Sequence, residues 1–195
     1  MKRICVFCGS NAGARPEYAG AARELAALLA QQRMGLVYGG GNIGLMGMLA
    51  DAMIAAGGEV IGVIPSSLVA REVAHRGLTE LRVVQTMHDR KALMNELSDA
   101  FIALPGGFGT LDEFFEILTW SQLEIHGKPC GLLNVAGYYD DLLVMLDRAV
   151  GEKFLRPAHR DLVIADTDAG RLLQRFAAFA PVTAGKWSDV SGNFL

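Results

Sequence analysis

Short apolar runs alternate with longer segments of helical spacing along almost the whole chain, and this alternation restricts the fold more than any other feature of the sequence. Several of the short runs, including residues 60–64 and 100–104, contain almost no polar positions. Such runs are typical of strands that are covered on both faces. The order predicts an α/β protein with a Rossmann-like three-layer fold, in which a parallel sheet of about six to seven strands carries helices on both faces.

Glycine and proline residues, which interrupt regular structure, define the predicted bounds of these elements. Strands are predicted at residues 2–8, 36–38, 60–64, 81–84, 100–104, 130–133 and 162–165. Helices are predicted at residues 16–33, 45–56, 87–97, 110–125, 138–150 and 169–179. The polar residues 66–79 have no clear period, which indicates a loop or a short helix. We predict one Rossmann-like nucleotide-binding domain over residues 1–180 and a loose tail over residues 181–195.

The charge and hydropathy of the chain limit the classes of partner, such as nucleic acid or membrane, that it is expected to bind. The net charge is −3, which argues against a general nucleic-acid-binding protein, because such proteins usually have a basic surface. No segment has the roughly 18 uninterrupted apolar residues of a membrane span. The basic and then apolar N-terminus is too short for a signal peptide, so we predict a cytoplasmic protein without a membrane or nucleic-acid partner.

The cysteine and histidine residues do not form an obvious metal or redox site. Cys5 and Cys8 have the spacing of a CxxC motif, but they fall in a predicted strand, on opposite faces and about 10 Å apart along it. A disulfide needs Cα atoms within about 7 Å of each other, so we favour buried thiols. The histidines, at positions 75, 88, 126 and 159, lack the spacing of metal ligands. We predict no metal and no cofactor.

Two glycine-rich loops connect a predicted strand to a predicted helix. Residues 39–44 (GGGNIG) match G-x-G-x-x-G, and residues 105–110 (PGGFGT) form the second loop. Glycine lets a backbone approach a phosphate closely, and a helix N-terminus offers free N–H groups. The strand after the first loop lacks the acidic residue that a dinucleotide enzyme places on the ribose. The loops therefore indicate an anion site, although each could be an ordinary turn.

Two charged residues lie beside these loops in the predicted fold. Thr110 and Glu113 match a capping box, so Glu113 could serve only its own helix, or it could also face the bound anion. Arg90 could be an exposed helix arginine, or it could bind a phosphate or a ribose. Asp89 could cap the same helix or hold Arg90. In parallel sheets ligands bind beyond the carboxyl ends of the strands, which favours a shared site.

Together these motifs resemble those of the LOG (Lonely Guy) family, the cytokinin riboside 5′-monophosphate phosphoribohydrolases. The resemblance rests on PGGFGTLDE at residues 105–113, on Met87, Arg90 and Lys91, and on GGGNIGLMG at residues 39–47. It extends in order from residue 3 to about residue 180. It implies a homodimer that hydrolyses the N-glycosidic bond of AMP or N6-prenyl-AMP to the free base and ribose 5-phosphate. Some relatives have been labelled lysine decarboxylases, but no lysine has the setting of a pyridoxal phosphate Schiff base.

The resemblance and the loops together predict the site residues. Arg90 and Glu113 are the predicted catalytic residues, with Glu113 as a carboxylate that stabilises positive charge on the ribose or activates water. Binding of the substrate and its phosphate is predicted for Ser10, Gly39, Gly40, Gly41, Met87, Lys91, Gly106, Gly107, Gly109 and Thr110. The alternatives are a non-catalytic carrier of a nucleotide or of the molybdenum cofactor, and a nucleotide-sensing module.

Two apolar helix segments have two interpretations each. Met46, Met48 and Met53 could fill the core, or they could form a flexible wall for a prenyl tail or a dimer contact. The helix that carries Phe114, Phe115, Leu118, Trp120 and Leu123 is expected to pack mostly into the core and partly against a second subunit.

Overall fold

The computed structural model describes residues 1–69 and 74–181. Its strands are β1 (Arg3–Phe7), β2 (Gly35–Tyr38), β3 (Val60–Pro65), β4 (Glu80–Val84), β5 (Ala100–Ala103), β6 (Cys130–Leu133) and β7 (Val163–Asp166). They form one seven-stranded sheet in the order β4-β3-β2-β1-β5-β6-β7, and every neighbouring pair is parallel. The predicted α/β fold with a parallel sheet is therefore confirmed.

Helices connect the strands, and most of them follow the predicted segments. They are α1 (Pro16–Gln31), α2 (Gly44–Ala55), α3 (Ser66–Val69), α4 (Met87–Leu97), α5 (Phe108–Gln122), α6 (Asp140–Gly151), α7 (Pro157–Arg160) and α8 (Ala169–Ala177). A short 3₁₀ helix, Val135–Gly137, precedes α6, so the helix predicted from residue 138 begins later. The sequence pattern did not predict the four-residue helix α7. Within the described residues, no helix is long and apolar enough to cross a membrane.

Helices cover both faces of the sheet, and each face has its own core. One core joins the sheet to α1, α2 and α8 and includes Leu25 and Leu49. The other joins it to α4, α5 and α6 and includes Phe114 and Leu146. Because both faces are buried, the strands contain few polar positions, which explains the apolar runs of the sequence. The three-layer arrangement is as predicted.

The three cysteines are buried thiols that form no disulfide. Cys5 and Cys8 belong to the two different cores, as their separation of three along a strand requires. Burial raises the pKa of both thiols, and the negative charge of Glu113 raises it further. Burial also raises the pKa of Cys130 to about 12. The thiols therefore remain protonated at neutral pH, and the prediction of buried thiols is confirmed.

The predicted capping box of α5 is wrong, because this helix begins two residues earlier than predicted. Its N-cap is Gly107, which has an extended backbone and contributes no side-chain hydrogen bond, and Thr110 already lies inside the helix. A capping box does exist at α4. The Thr86 hydroxyl accepts a hydrogen bond from the Asp89 N–H at 3.1 Å, and the Asp89 carboxylate accepts one from the Thr86 N–H at 3.0 Å. Asp89 therefore caps α4, which is the first of the two roles predicted for it.

The chain reverses its direction of travel across the sheet between β1 and β5. From β1 the chain proceeds through β2 and β3 to β4 at one edge, and from β5 it proceeds through β6 to β7 at the other edge. At such a switch point the loops after the two central strands diverge and leave a crevice above the carboxyl ends.

Of the predicted tail at residues 181–195, all residues after Pro181 lie outside the described residues.

Candidate active site

A cavity of about 370 Å³ lies at this switch point, above the carboxyl ends of β1 and β5. Residues 8–13 after β1 form one side of it. Residues 105–110 after β5 form the other side and are called the 105–110 loop below, although the last three of them are the first turn of α5. Leu45 and Met46 at the start of α2 close a third side. The predicted residues Ser10, Arg90, Gly106, Gly107, Gly109, Thr110 and Glu113 all line the cavity. The fold thus brings most of the predicted site together.

Backbone hydrogen bonds connect the loops that surround the cavity. The Gly9 N–H donates to the Pro105 carbonyl at 3.1 Å, and the Gly9 carbonyl accepts from the Leu45 N–H at 3.1 Å. Gly44 has a positive φ of 59°, and its Cα lies so close to the backbone of Ser10 that a Cβ there would overlap it. The first glycine loop therefore supports the loop after β1, because only glycine permits this approach.

Replacing Gly44 by alanine is expected to lower the free energy of unfolding by about 2–3 kcal/mol, because a left-handed backbone and a steric overlap both oppose the new Cβ. Gly57 is the matched control: its φ is also positive, at 75°, but no atom lies within 4 Å of a Cβ placed there. Gly57→Ala should therefore cost only about 1 kcal/mol. Urea unfolding of both variants measures the difference, and equal losses would contradict the argument.

The first turn of α5 offers an anion site. An α-helix cannot pair its first N–H groups internally, and here these belong to Phe108, Gly109 and Thr110, which all line the cavity. The positive end of the helix dipole adds to the attraction for a negative charge. Thr110 is buried, and its hydroxyl is a further donor within the same turn. This arrangement is suited to bind a phosphate group.

A buried ion pair joins α4 to α5 at the cavity wall. The Nη1 atom of Arg90 lies 2.8 Å from Oε1 of Glu113, and both side chains are about nine-tenths buried. Glu113 lies one helical turn further along α5 than the anion site, and it lines the same cavity. Arg90 is therefore not an exposed helix arginine, and Glu113 is not a cap. The arrangement places a fixed carboxylate and a fixed guanidinium near any ligand of the cavity.

The position of Arg90 depends on two further contacts. Its Nε atom donates a hydrogen bond to the carbonyl of Val63, in β3, at 2.9 Å. Its Nη2 atom lies against Gly39 at the end of β2, where a Cβ would overlap it. The guanidinium group is thereby held between two strands and Glu113, which restricts its rotation.

Five of the predicted binding residues lie outside the cavity lining: Gly39, Gly40, Gly41, Met87 and Lys91. Gly39 contacts Arg90, Gly40 packs against Ile64 and Leu81, and Gly41 forms an isolated bridge to Ala74. Their predicted phosphate contacts remain a prediction, as does the role of the exposed Met87.

Lys91 points away from the cavity, towards acidic residues of α5. Its Nζ atom lies 2.8 Å from Glu116 and 3.2 Å from Asp112. Burial on its own lowers the pKa of Lys91, but the hydrogen bonds to both carboxylates outweigh it and raise the pKa. Lys91 thus stabilises the packing of α4 against α5. Its contact with the substrate stays a prediction.

Several residues of the cavity were not predicted from the sequence. Tyr18 of α1 and Tyr138, which follows the 3₁₀ helix, line the cavity beside the 105–110 loop. Met46 lines it as well, but both Met46 and Met53 belong to the core, as the first interpretation of these methionines predicts. A wall for a prenyl tail at Met46 stays a prediction. Aromatic residues next to turns give no sequence signal of this kind, because their position depends on contacts between distant segments.

Phe114 and Leu118 of α5 are buried in the core, as predicted for most of that helix. Leu123, just after the helix, is exposed, and Phe115 and Trp120 are half-buried. Among the described residues, no group of three or more His, Cys, Asp or Glu side chains could hold a metal ion.

The chain is similar to a family of curated proteins over nearly its whole length. A family model described as "Possible lysine decarboxylase" matches residues 46–176. A probable cytokinin riboside 5′-monophosphate phosphoribohydrolase of Oryza sativa subsp. japonica is 51% identical over 93% of this chain and 80% of its own length. A cytokinin riboside 5′-monophosphate phosphoribohydrolase of Arabidopsis thaliana is 48% identical over 100% of this chain and 93% of its own length.

Solved structures share the fold. The molybdenum cofactor carrier protein of Chlamydomonas reinhardtii superposes with a TM-score of 0.68 at 22% identity, over 91% of this chain and 99% of its own. The molybdenum cofactor binding protein of Rippkaea orientalis gives a TM-score of 0.69 at 24% identity, over 91% of this chain and 97% of its own. At this level of identity the likeness extends to the fold alone.

Proposed function

The chain belongs to the family of cytokinin riboside 5′-monophosphate phosphoribohydrolases, and from this premise we propose that it hydrolyses the N-glycosidic bond of AMP or of N6-prenyl-AMP. The products are the free base and ribose 5-phosphate. The observation that carries the proposal is the buried pair of Arg90 and Glu113, which faces the same cavity as the N-terminus of α5. Charged groups are costly to bury, and such a pair in a cleft is typical of a functional site.

The reaction is a displacement at C1′ of the ribose. The bond between C1′ and the base nitrogen breaks, its electrons leave with the base, and the base takes up a proton. The oxygen of a water molecule bonds to C1′ and loses a proton. Positive charge develops on the ribose as the bond breaks, as in glycoside hydrolysis. A carboxylate fixed beside C1′ stabilises that charge or accepts the proton of the water, and this is the role we assign to Glu113.

Arg90 keeps this carboxylate in place and orients the ribose or the leaving base. Its guanidinium presents several donors in a rigid plane, and contacts to Val63 and Glu113 occupy only part of them. The 5′-phosphate binds at the first turn of α5, where the N–H groups of residues 108–110 and the hydroxyls of Thr110 and Ser10 are the proposed donors. No step of this scheme needs a metal ion or a cofactor.

Two features support this reaction over the other activities. The cavity lining includes no lysine among the described residues, whereas pyridoxal phosphate chemistry needs one for its Schiff base. Lys91, the lysine next to Arg90, is paired with two carboxylates of α5 instead. A carrier or a sensor of nucleotides has no need of a buried Arg90–Glu113 pair at its binding site.

We also propose that the protein is a cytoplasmic homodimer. The exposed Leu123 and Ile125, which follow the C-terminus of α5, are apolar residues that a second subunit would cover. The three buried cysteines form no disulfide, which is compatible with the reducing conditions of the cytoplasm.

The purified protein incubated with AMP or with N6-isopentenyl-AMP is expected to release the free base and ribose 5-phosphate in equal amounts. Chromatography measures the base, and a reducing-sugar assay measures the ribose 5-phosphate. Adenosine is the control substrate: it lacks the phosphate, so it should react much more slowly. Faster turnover of the prenylated nucleotide would identify it as the preferred substrate. Binding of AMP without release of base would contradict the hydrolase and favour a carrier.

A further inference from the structure

Tyr138 contacts the 105–110 loop from a distant segment of the chain. Its hydroxyl donates a hydrogen bond to the carbonyl of Gly106 at 2.7 Å, across a separation of 32 residues. Its ring lines the cavity and is 44% exposed, so it is not a core residue. Neither the family motifs of the sequence nor the proposed reaction accounts for this contact.

Two neighbouring aromatic rings hold the ring of Tyr138 in one orientation. The ring of Tyr18 lies 5.8 Å away at an interplanar angle of 79°, and the ring of Tyr139 lies 5.1 Å away at 83°. Edge-to-face pairs of this kind are favourable and restrict rotation of the rings. The two rings therefore help to direct the hydroxyl of Tyr138 at the Gly106 carbonyl.

The backbone in front of Tyr138 is also held firmly. Asn134 is buried, and its side chain accepts a hydrogen bond from the Tyr139 N–H and donates one to Asp140, each at 2.7 Å. Ala136 and Gly137 both have positive φ angles, of 52° and 72°. For alanine this conformation costs about 1–2 kcal/mol, and such a cost persists only where the surrounding contacts enforce it.

From these contacts we infer that Tyr138 is a positioning residue for phosphate binding, which acts through the peptide group between Gly106 and Gly107. A peptide group is planar, so fixing the Gly106 carbonyl also fixes the direction of the Gly107 N–H. Gly107 is the N-cap of α5, and its orientation sets the N–H groups of the first turn. The inference rests on the proposed function, because it takes the ligand of the cavity to be a 5′-phosphate ester.

Tyr138→Phe tests this inference, because it removes only the hydroxyl. We expect the KM for AMP, and the Kd for AMP and for inorganic phosphate, to rise about three- to tenfold, which is the range for one lost hydrogen bond. The kcat should change less than twofold, since the side-chain hydrogen bond and ring contacts of Tyr138 within the described residues are to Gly106, Tyr18 and Tyr139. Steady-state kinetics and isothermal titration calorimetry measure these constants.

Tyr139→Phe is the matched control. Tyr139 is the next residue, and its hydroxyl also donates to a carbonyl of the neighbouring segment, that of Leu104 at 2.7 Å, but its side chain is buried and does not line the cavity. This variant should have a lower Tm and an unchanged KM and Kd. Tyr138→Phe should keep a Tm close to that of the wild type.

Two results would overturn the inference: unchanged KM and Kd in Tyr138→Phe, or the same increase in Tyr139→Phe. If the wild-type protein binds AMP but releases no base, the proposed function fails. The Kd values of the two variants for AMP then still decide the role of Tyr138.

Discussion

Replacement of Glu113 by glutamine is expected to lower kcat for AMP by about 10²- to 10⁴-fold, the range for losing one carboxylate that acts on the reacting atoms. Glutamine has nearly the same size and can still accept a hydrogen bond from Arg90, so the geometry of the cavity should survive. The negative charge that offsets the developing positive charge at C1′ is lost. Because that charge appears only in the transition state, the Kd for AMP should change little. Base release followed by chromatography gives kcat, and calorimetry gives the Kd.

Asp112→Asn is the matched control for this prediction. Asp112 is the preceding residue of α5, and the change likewise converts a carboxylate to an amide, but its side chain is 61% exposed and faces Lys91 rather than the cavity. This variant should keep kcat within about twofold of the wild type, because Asp112 does not belong to the cavity lining and Lys91 keeps its ion pair with Glu116. A Glu113→Gln variant with nearly full turnover would remove Glu113 from the mechanism.

Replacement of Arg90 by methionine is expected to lower the free energy of unfolding by about 3–5 kcal/mol and to abolish base release. Methionine fills much of the same volume, but it removes the guanidinium that faces the buried charge of Glu113. It also removes the donor to the Val63 carbonyl. The cost of burying a charge without this partner, rather than lost packing, is the physical reason for the loss. Urea unfolding measures the free energy.

The double variant Arg90→Met/Glu113→Leu separates stability from activity. With both charges gone, no buried charge lacks its partner, so most of the lost stability should return while base release stays absent. Arg82→Met is the control that removes an arginine from an exposed ion pair instead of a buried one. Arg82 lies on β4, its side chain is 49% exposed, and it pairs with Glu80 on the surface. That change should cost less than about 1 kcal/mol. A double variant as unstable as Arg90→Met would show that packing dominates.

The sequence by itself determined the fold class and the approximate place of the site. Alternating apolar runs and helical segments can bury their apolar positions only as a parallel sheet with helices on both faces, and the seven strands form such a sheet. Glycine-rich turns at the carboxyl ends of the strands then have to meet at one edge of the sheet. This local and periodic information needs no knowledge of distant contacts. It placed Arg90 and Glu113 beside the glycine-rich loops, and both residues line the cavity. Their catalytic roles came from the family resemblance and stay a prediction.

Only the tertiary structure decided which side chains face the cavity. Arg90 and Lys91 are adjacent, yet one lines the cavity and the other pairs with Asp112 and Glu116, because successive residues of a helix point about 100° apart. The sequence does not state how α4 is rotated about its axis; packing against β3 and α5 sets that rotation. In the same way, Tyr138 reaches Gly106 only because the segments after β5 and β6 lie side by side in the folded sheet.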